Sequence, residues 1–112
     1  MSSREERIGM NEAVFRDVNE RIQDVANTFD LTSEPLDLIC ECGDASCVAR
    51  ISLTRDAYEE LRSDPQLFAV APGHVAADVE MVEAHRSGYD VVRKYKGAPA
   101  EIAQKTDPRQ GS

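Results

Sequence analysis

Apolar residues recur at three- and four-residue intervals through the first quarter of the chain: Ile8, Phe15, Val18, Ile22, Val25 and Phe29. Asn11 fills the one polar slot in that stripe. The other faces are charged (Glu12, Arg16, Asp17, Glu20, Arg21, Asp24), so the spacing predicts one long amphipathic helix over residues 4–29. Such a stripe has two uses. It can dock on the domain's own sheet, or it can pair with a second copy or a partner helix, because a heptad-like seam with one polar residue sets register in a coiled coil. The stripe is too short to choose between them.

Downstream the period shortens. Leu36 to Cys40 reads as a strand, and Val48 to Leu53 as its return, with Ala49, Ile51 and Leu53 alternating. Between them Cys42 to Cys47 forms a tight turn rich in small and polar residues. Thr54 is placed to cap a short helix running to Arg62, with Asp56 favourable in its first turn. Leu67 to Ala71 reads as a buried third strand closed by Pro72-Gly73. A helix is expected over 76–86, with Val75, Val79 and Val82 on one face and Gly88 as its stop. Tyr89 to Tyr95 would be the fourth strand. The predicted fold is therefore α+β: a long N-terminal helix (1–30), a core (31–96) with a small, mostly antiparallel four-stranded sheet, two short helices and a β-hairpin turn that bears zinc, and a polar, flexible tail (97–112).

Composition sharpens this picture. A chain of 112 residues makes one domain; 41% of it is apolar, but only 5% is aromatic and tryptophan is absent. The core is thus aliphatic and thin, a setting in which a bound metal can decide whether a fold forms. The net charge is −8. Residues 1–36 carry four arginines against eight acids, residues 37–74 three against seven, and residues 75–112 six cations against six acids. Phosphate neutralisation by Lys and Arg drives nucleic-acid binding, so this balance argues against a nucleic-acid partner. The one basic cluster, Arg93, Lys94 and Lys96, reads as the exposed edge of a strand. No apolar run reaches a membrane span and the N-terminus is charged, so the expected location is cytoplasmic.

Three cysteines in eight residues, Cys40-Glu41-Cys42-Gly43-Asp44-Ala45-Ser46-Cys47, form a C-x-C-G-x3-C cluster. In a reducing compartment an odd count with two members one residue apart favours metal over disulfide. Soft thiolates suit zinc, which takes four ligands in a tetrahedron. Gly43 is read as leaving room for backbone amides to approach the thiolates. The cluster resembles the post-SET zinc motif that follows the catalytic domain of many lysine methyltransferases, where three cysteines in this arrangement share a zinc with one remote ligand. That resemblance covers Cys40 to Cys47 and implies a ligand role for Cys40, Cys42 and Cys47 with a distant fourth ligand. It brings no methyltransferase activity, since 39 residues cannot hold that domain. The fourth ligand is expected to be His74, on the rigid Ala71-Pro72-Gly73-His74 turn. His85 beside the apolar face of the expected helix, water, or a carboxylate such as Asp44 are the alternatives. More widely, the segment Asn11 to Ile22 (NEAVFRDVNERI), the cysteine cluster, Val70 to His74 (VAPGH) and Gly88 to Val92 (GYDVV) resemble a family of small uncharacterised actinobacterial proteins, which implies no activity.

There is no HExxH, phosphate loop or nucleophile elbow, and all three cysteines belong to one motif. The expected function is a non-catalytic interaction or regulatory module holding one zinc ion per chain, with a protein partner and with a homodimer through the N-terminal helix as a second arrangement. A redox or metal sensor, in which thiol oxidation releases zinc, is the rival.

Overall fold

A computed structural model describes residues 4–28 and 35–109. Phe29, the last residue of the expected stripe, and residues 30–34 lie outside the described residues. The fold is α+β, in the order α1 (Arg4–Thr28), β1 (Leu36–Ile39), β2 (Arg50–Leu53), α2 (Arg55–Arg62), β3 (Leu67–Val70), β4 (Glu80–Arg86), β5 (Tyr89–Lys94) and α3 (Ala98–Lys105).

The strands form two antiparallel sheets rather than one of four strands. β1 pairs with β2, and β3, β5 and β4 form the second sheet in that order. The fifth strand is β4, where the valine spacing predicted a helix. Arg86 pairs with Tyr89 across a two-residue turn, Ser87-Gly88, in which Gly88 has φ +87°. That positive φ makes a tight hairpin turn, not a helix stop. The strand then buries Glu80 and half-buries Val82 and Ala84, while Met81, Glu83 and His85 face out.

β5 consequently lies in the middle of its sheet, so Lys94 is no edge residue. It is buried, and Arg93 is paired with Glu83 and Asp64. The expected flexible tail instead contains α3, which has a proline in its first turn and buries Ala100 and Ala103. Thr54 caps α2 as expected, accepting a hydrogen bond from the Ala57 amide at 3.1 Å. Leu36, Leu38, Ile51, Leu53, Tyr58, Leu61, Phe68, Val70 and Val92 form the aliphatic and aromatic core.

The N-terminal helix is where expected, but it is rolled toward its charged side. Of the expected stripe Ile8 is buried and Ile22 packs half-buried against the core, whereas Val18 and Val25 face solvent. Its inward residues are Ile8, Glu12, Ala13, Arg16, Asn19, Glu20, Gln23 and Ala26. Met10 and Val14, which lie outside the expected stripe, face solvent beside Val18 and Val25. The reason lies in the partners that the rest of the chain supplies. Glu12 and Glu80 both bind the ammonium of Lys94, with all three side chains buried. Arg16 donates to the carbonyls of Pro65 and Ala103, each at 2.6 Å. Asn19 bonds both the amide and the carbonyl of Ile39 at 2.9 Å, completing the outer edge of β1. Glu20 receives the guanidinium groups of Arg62 and Arg109. Charges and amides can be buried when each finds a partner, and here the partners come from β1, β4, β5, α2, α3 and the connecting loops.

Candidate metal centre

Cys40, Cys42 and Cys47 lie in the loop that joins β1 to β2, and His74 in the loop after β3. The two loops meet because β1 continues past its own sheet onto the outer edge of β3. Glu41 donates its amide to the Ala69 carbonyl at 2.9 Å, and its carboxylate accepts the Ala69 amide at 3.0 Å. The other carboxylate oxygen accepts from Asn19 of α1 at 2.8 Å. Glu41 therefore stands in for a strand neighbour, and the cysteines flanking it are fixed at the junction of the two sheets. Burial raises its pKa, and the bonds from Asn19 and Ala69 oppose that shift.

Each cysteine is held locally. The Cys40 amide bonds the Ala49 carbonyl at 3.0 Å, and the Cys40 sulfur accepts the Ala71 amide at 3.1 Å. Asp44 turns the loop: its carboxylate accepts the Ser46 amide and hydroxyl, while its carbonyl takes the Cys47 amide at 3.0 Å. Those two bonds from Ser46 hold the Asp44 pKa below its ordinary value. Asp44 is thereby used by the turn. Gly43 has a reason the sequence did not reveal. A Cβ there would sit 2.3 Å from Cγ2 of Ile8, so the glycine lets α1 rest on the loop, and Asn11 donates to the Gly43 carbonyl at 2.9 Å.

His74 closes the Ala71-Pro72-Gly73-His74 turn, its amide bonding the Ala71 carbonyl at 3.0 Å with Gly73 at φ +83°. Proline second and a positive-φ glycine third are the requirements of a type II turn. The turn aims the imidazole at the cysteines: Nδ1 lies 3.6 Å from the sulfurs of both Cys40 and Cys47. One donor atom from each of Cys40, Cys42, Cys47 and His74 falls within 4.8 Å of the other three. His85 takes no part in this cluster. It sits on β4 and bonds Asp90 at 2.8 Å.

Burial raises the Cys40 pKa, although amides of Ala71 and Cys42 oppose it. Burial likewise pushes the Cys42 thiol up to about 12, with the neighbouring sulfurs adding to the effect. Three thiolates gathered this closely repel one another unless a cation sits among them, and a coordinated metal is the ordinary way to deprotonate such a set. No cysteine is in a disulfide. The α+β fold and the Cys3His cluster thus define a small protein whose two sheets meet at a site compatible with metal binding. No protein-family model, curated protein or solved structure matches the chain. Among the described residues no helix is long and apolar enough to cross a membrane.

Proposed function

We propose that Cys40, Cys42, Cys47 and His74 hold one zinc ion, and that the chain is a zinc-stabilised interaction or regulatory module without catalytic activity. One observation carries the zinc reading. With Zn–S near 2.3 Å and Zn–N near 2.1 Å, a tetrahedral ion separates a sulfur from a nitrogen ligand by about 3.6 Å. Both separations between His74 Nδ1 and the sulfurs of Cys40 and Cys47 are 3.6 Å. Four protein ligands leave no open position for substrate, and three thiolates make zinc a weak Lewis acid. Non-denaturing mass spectrometry of the untagged protein should show the mass of one zinc per chain. Metal-free protein with three titratable thiols would sink this reading.

The outward stripe of α1 supports the interaction role. Met10, Val14, Val18 and Val25 make an exposed apolar ridge, with Asp24 on its flank and Asp17 paired there with exposed Arg21 at 3.1 Å. Apolar surface so placed is what a partner covers. The occupant with matching chemistry is a protein segment whose own apolar ridge is bordered by Lys or Arg. A lysine-flanked amphipathic peptide should shift NMR signals of residues 10–25, and a sequence-scrambled peptide of equal charge should not. Equal shifts with both peptides, or a dimer that buries this ridge, would reject that occupant.

The sensor reading keeps one specific observation. His74 is exposed, Cys47 is only half-buried, and an open cavity of about 520 Å³ reaches Cys42, Gly43 and His74. Rapid zinc release by a mild hydroperoxide, with reversible disulfide formation, would favour it over a purely structural zinc.

A further inference from the structure

The turn that presents His74 is held from below by a residue outside the ligand set. Asp90, the second residue of β5, lies opposite Val70, the last residue of β3, so its side chain lies beside the turn that follows. Its carboxylate is buried, with 7% side-chain exposure. One oxygen accepts the Gly73 amide at 3.2 Å, and the other bonds His85 Nδ1 at 2.8 Å across the β4–β5 hairpin. Gly73 immediately precedes His74, and its φ of +83° makes its amide direction decisive for where the imidazole points. The far end of the same loop is held similarly, by Glu80 accepting the Ala76 amide at 3.3 Å.

We propose that Asp90 is a positioning residue for the metal centre, locking the Gly73 amide so that His74 is delivered to the three cysteines, with surface His85 holding the second carboxylate oxygen in place. This rests on the reading that the cluster binds a metal. Groups that orient a ligand without touching the metal commonly govern affinity by about 10–100-fold. Here the group acts through the ligand's backbone, a link invisible in sequence because 16 positions separate the two residues.

The test is a cobalt(II) titration of the full chain, followed by zinc competition against a chromophoric chelator. Asp90→Ala should weaken metal binding by about 10–100-fold and alter the cobalt ligand-field bands. Asp90→Asn retains an acceptor oxygen for Gly73 and should recover most of the affinity. His85→Ala should lose less than Asp90→Ala. Asp90→Thr, whose branched side chain suits a strand, replaces the alanine variant if that variant fails to fold. A merely structural role would lower the melting temperature of the loaded protein and leave the cobalt ligand-field bands unchanged; that result overturns the proposal. If wild-type protein gives no thiolate-to-cobalt charge-transfer band, the metal reading fails and this inference falls with it. If wild type binds and the Asp90 variants bind equally well, only the inference fails.

Discussion

Two junctions hold this domain together, and they use opposite chemistry. Where the sheets meet, three soft sulfurs and an imidazole converge from two loops on a point that a single cation can occupy. Where α1 lies on the domain, no such focus exists: Glu12, Arg16, Asn19, Glu20 and Gln23 each find a separate polar partner. If one ion is shared by all its members, as proposed, the first junction should fail as a unit. The second is distributed, and its members differ in cost according to what each leaves behind. An unpaired buried ion is expensive, so each buried charge of α1 is matched by opposite charge or a polar group from elsewhere in the chain, whereas thiolates can gather on one metal.

The sharpest way to break the contrast is at the first junction. Cys40→Ser should abolish tight metal binding and, with it, the cooperative near-ultraviolet circular dichroism change on heating. Structural zinc contributes on the order of 10–16 kcal/mol of apparent binding free energy, comparable to the whole stability of a domain this size. A melting temperature unchanged after verified metal removal would show that the sheets hold without the ion.

At the second junction the sign should depend on which charge is removed. Lys94→Met leaves Glu12 and Glu80 buried without their shared ammonium and should cost about 3–5 kcal/mol in denaturant unfolding. Glu12→Gln should do the reverse at alkaline pH. Burial raises the Glu12 pKa from 4.5 to about 9, against the opposing pull of Lys94. Its folded value stands above its unfolded one, so the protonated carboxyl favours folding most below pH 4.5, and that contribution is lost as pH rises to about 9. Wild type should therefore lose stability relative to Glu12→Gln across that window. Parallel pH profiles for the two proteins would place Glu12 outside the ionic cluster.

The smallest effect belongs to the outward apolar residues of α1. Val14→Ser and Val18→Ser should each change stability by less than about 0.5 kcal/mol, as surface substitutions do. A loss of 2 kcal/mol or more, the usual scale for a buried aliphatic residue, would mean that the stripe is covered after all.

These outcomes bear on what could be read from the chain beforehand. The convergence of the cysteines and His74 was legible because C-x-C-G-x3-C spacing is local and Pro72-Gly73 announces its turn. The hairpin of β1 and β2, α2 with its Thr54 cap, and the extent of α1 were legible for the same reason: their signals lie within a few residues. The facing of α1 was not. A stripe of valines carries the same period whichever way it points, and only Lys94, Arg62, Ile39 and Ala103, all remote, decide that the polar side turns inward. β4 was missed because Val75, Val79 and Val82 share a helical period, while the competing Ser87-Gly88 hairpin turn was read as a helix end. Asp90 carried no local signal at all, since its importance comes from register alone.

Asn19 grips both polar groups of Ile39, so α1 is indexed like a keyed shaft. Greasy packing tolerates a helix that rolls or slides by a fraction of a turn; a paired amide clasp does not. Azimuth and axial setting are thus decided on the hidden side, and the outward ridge of Met10, Val14, Val18 and Val25 bears none of that duty. Substitutions can redraw that ridge residue by residue while the helix beneath stays at its post.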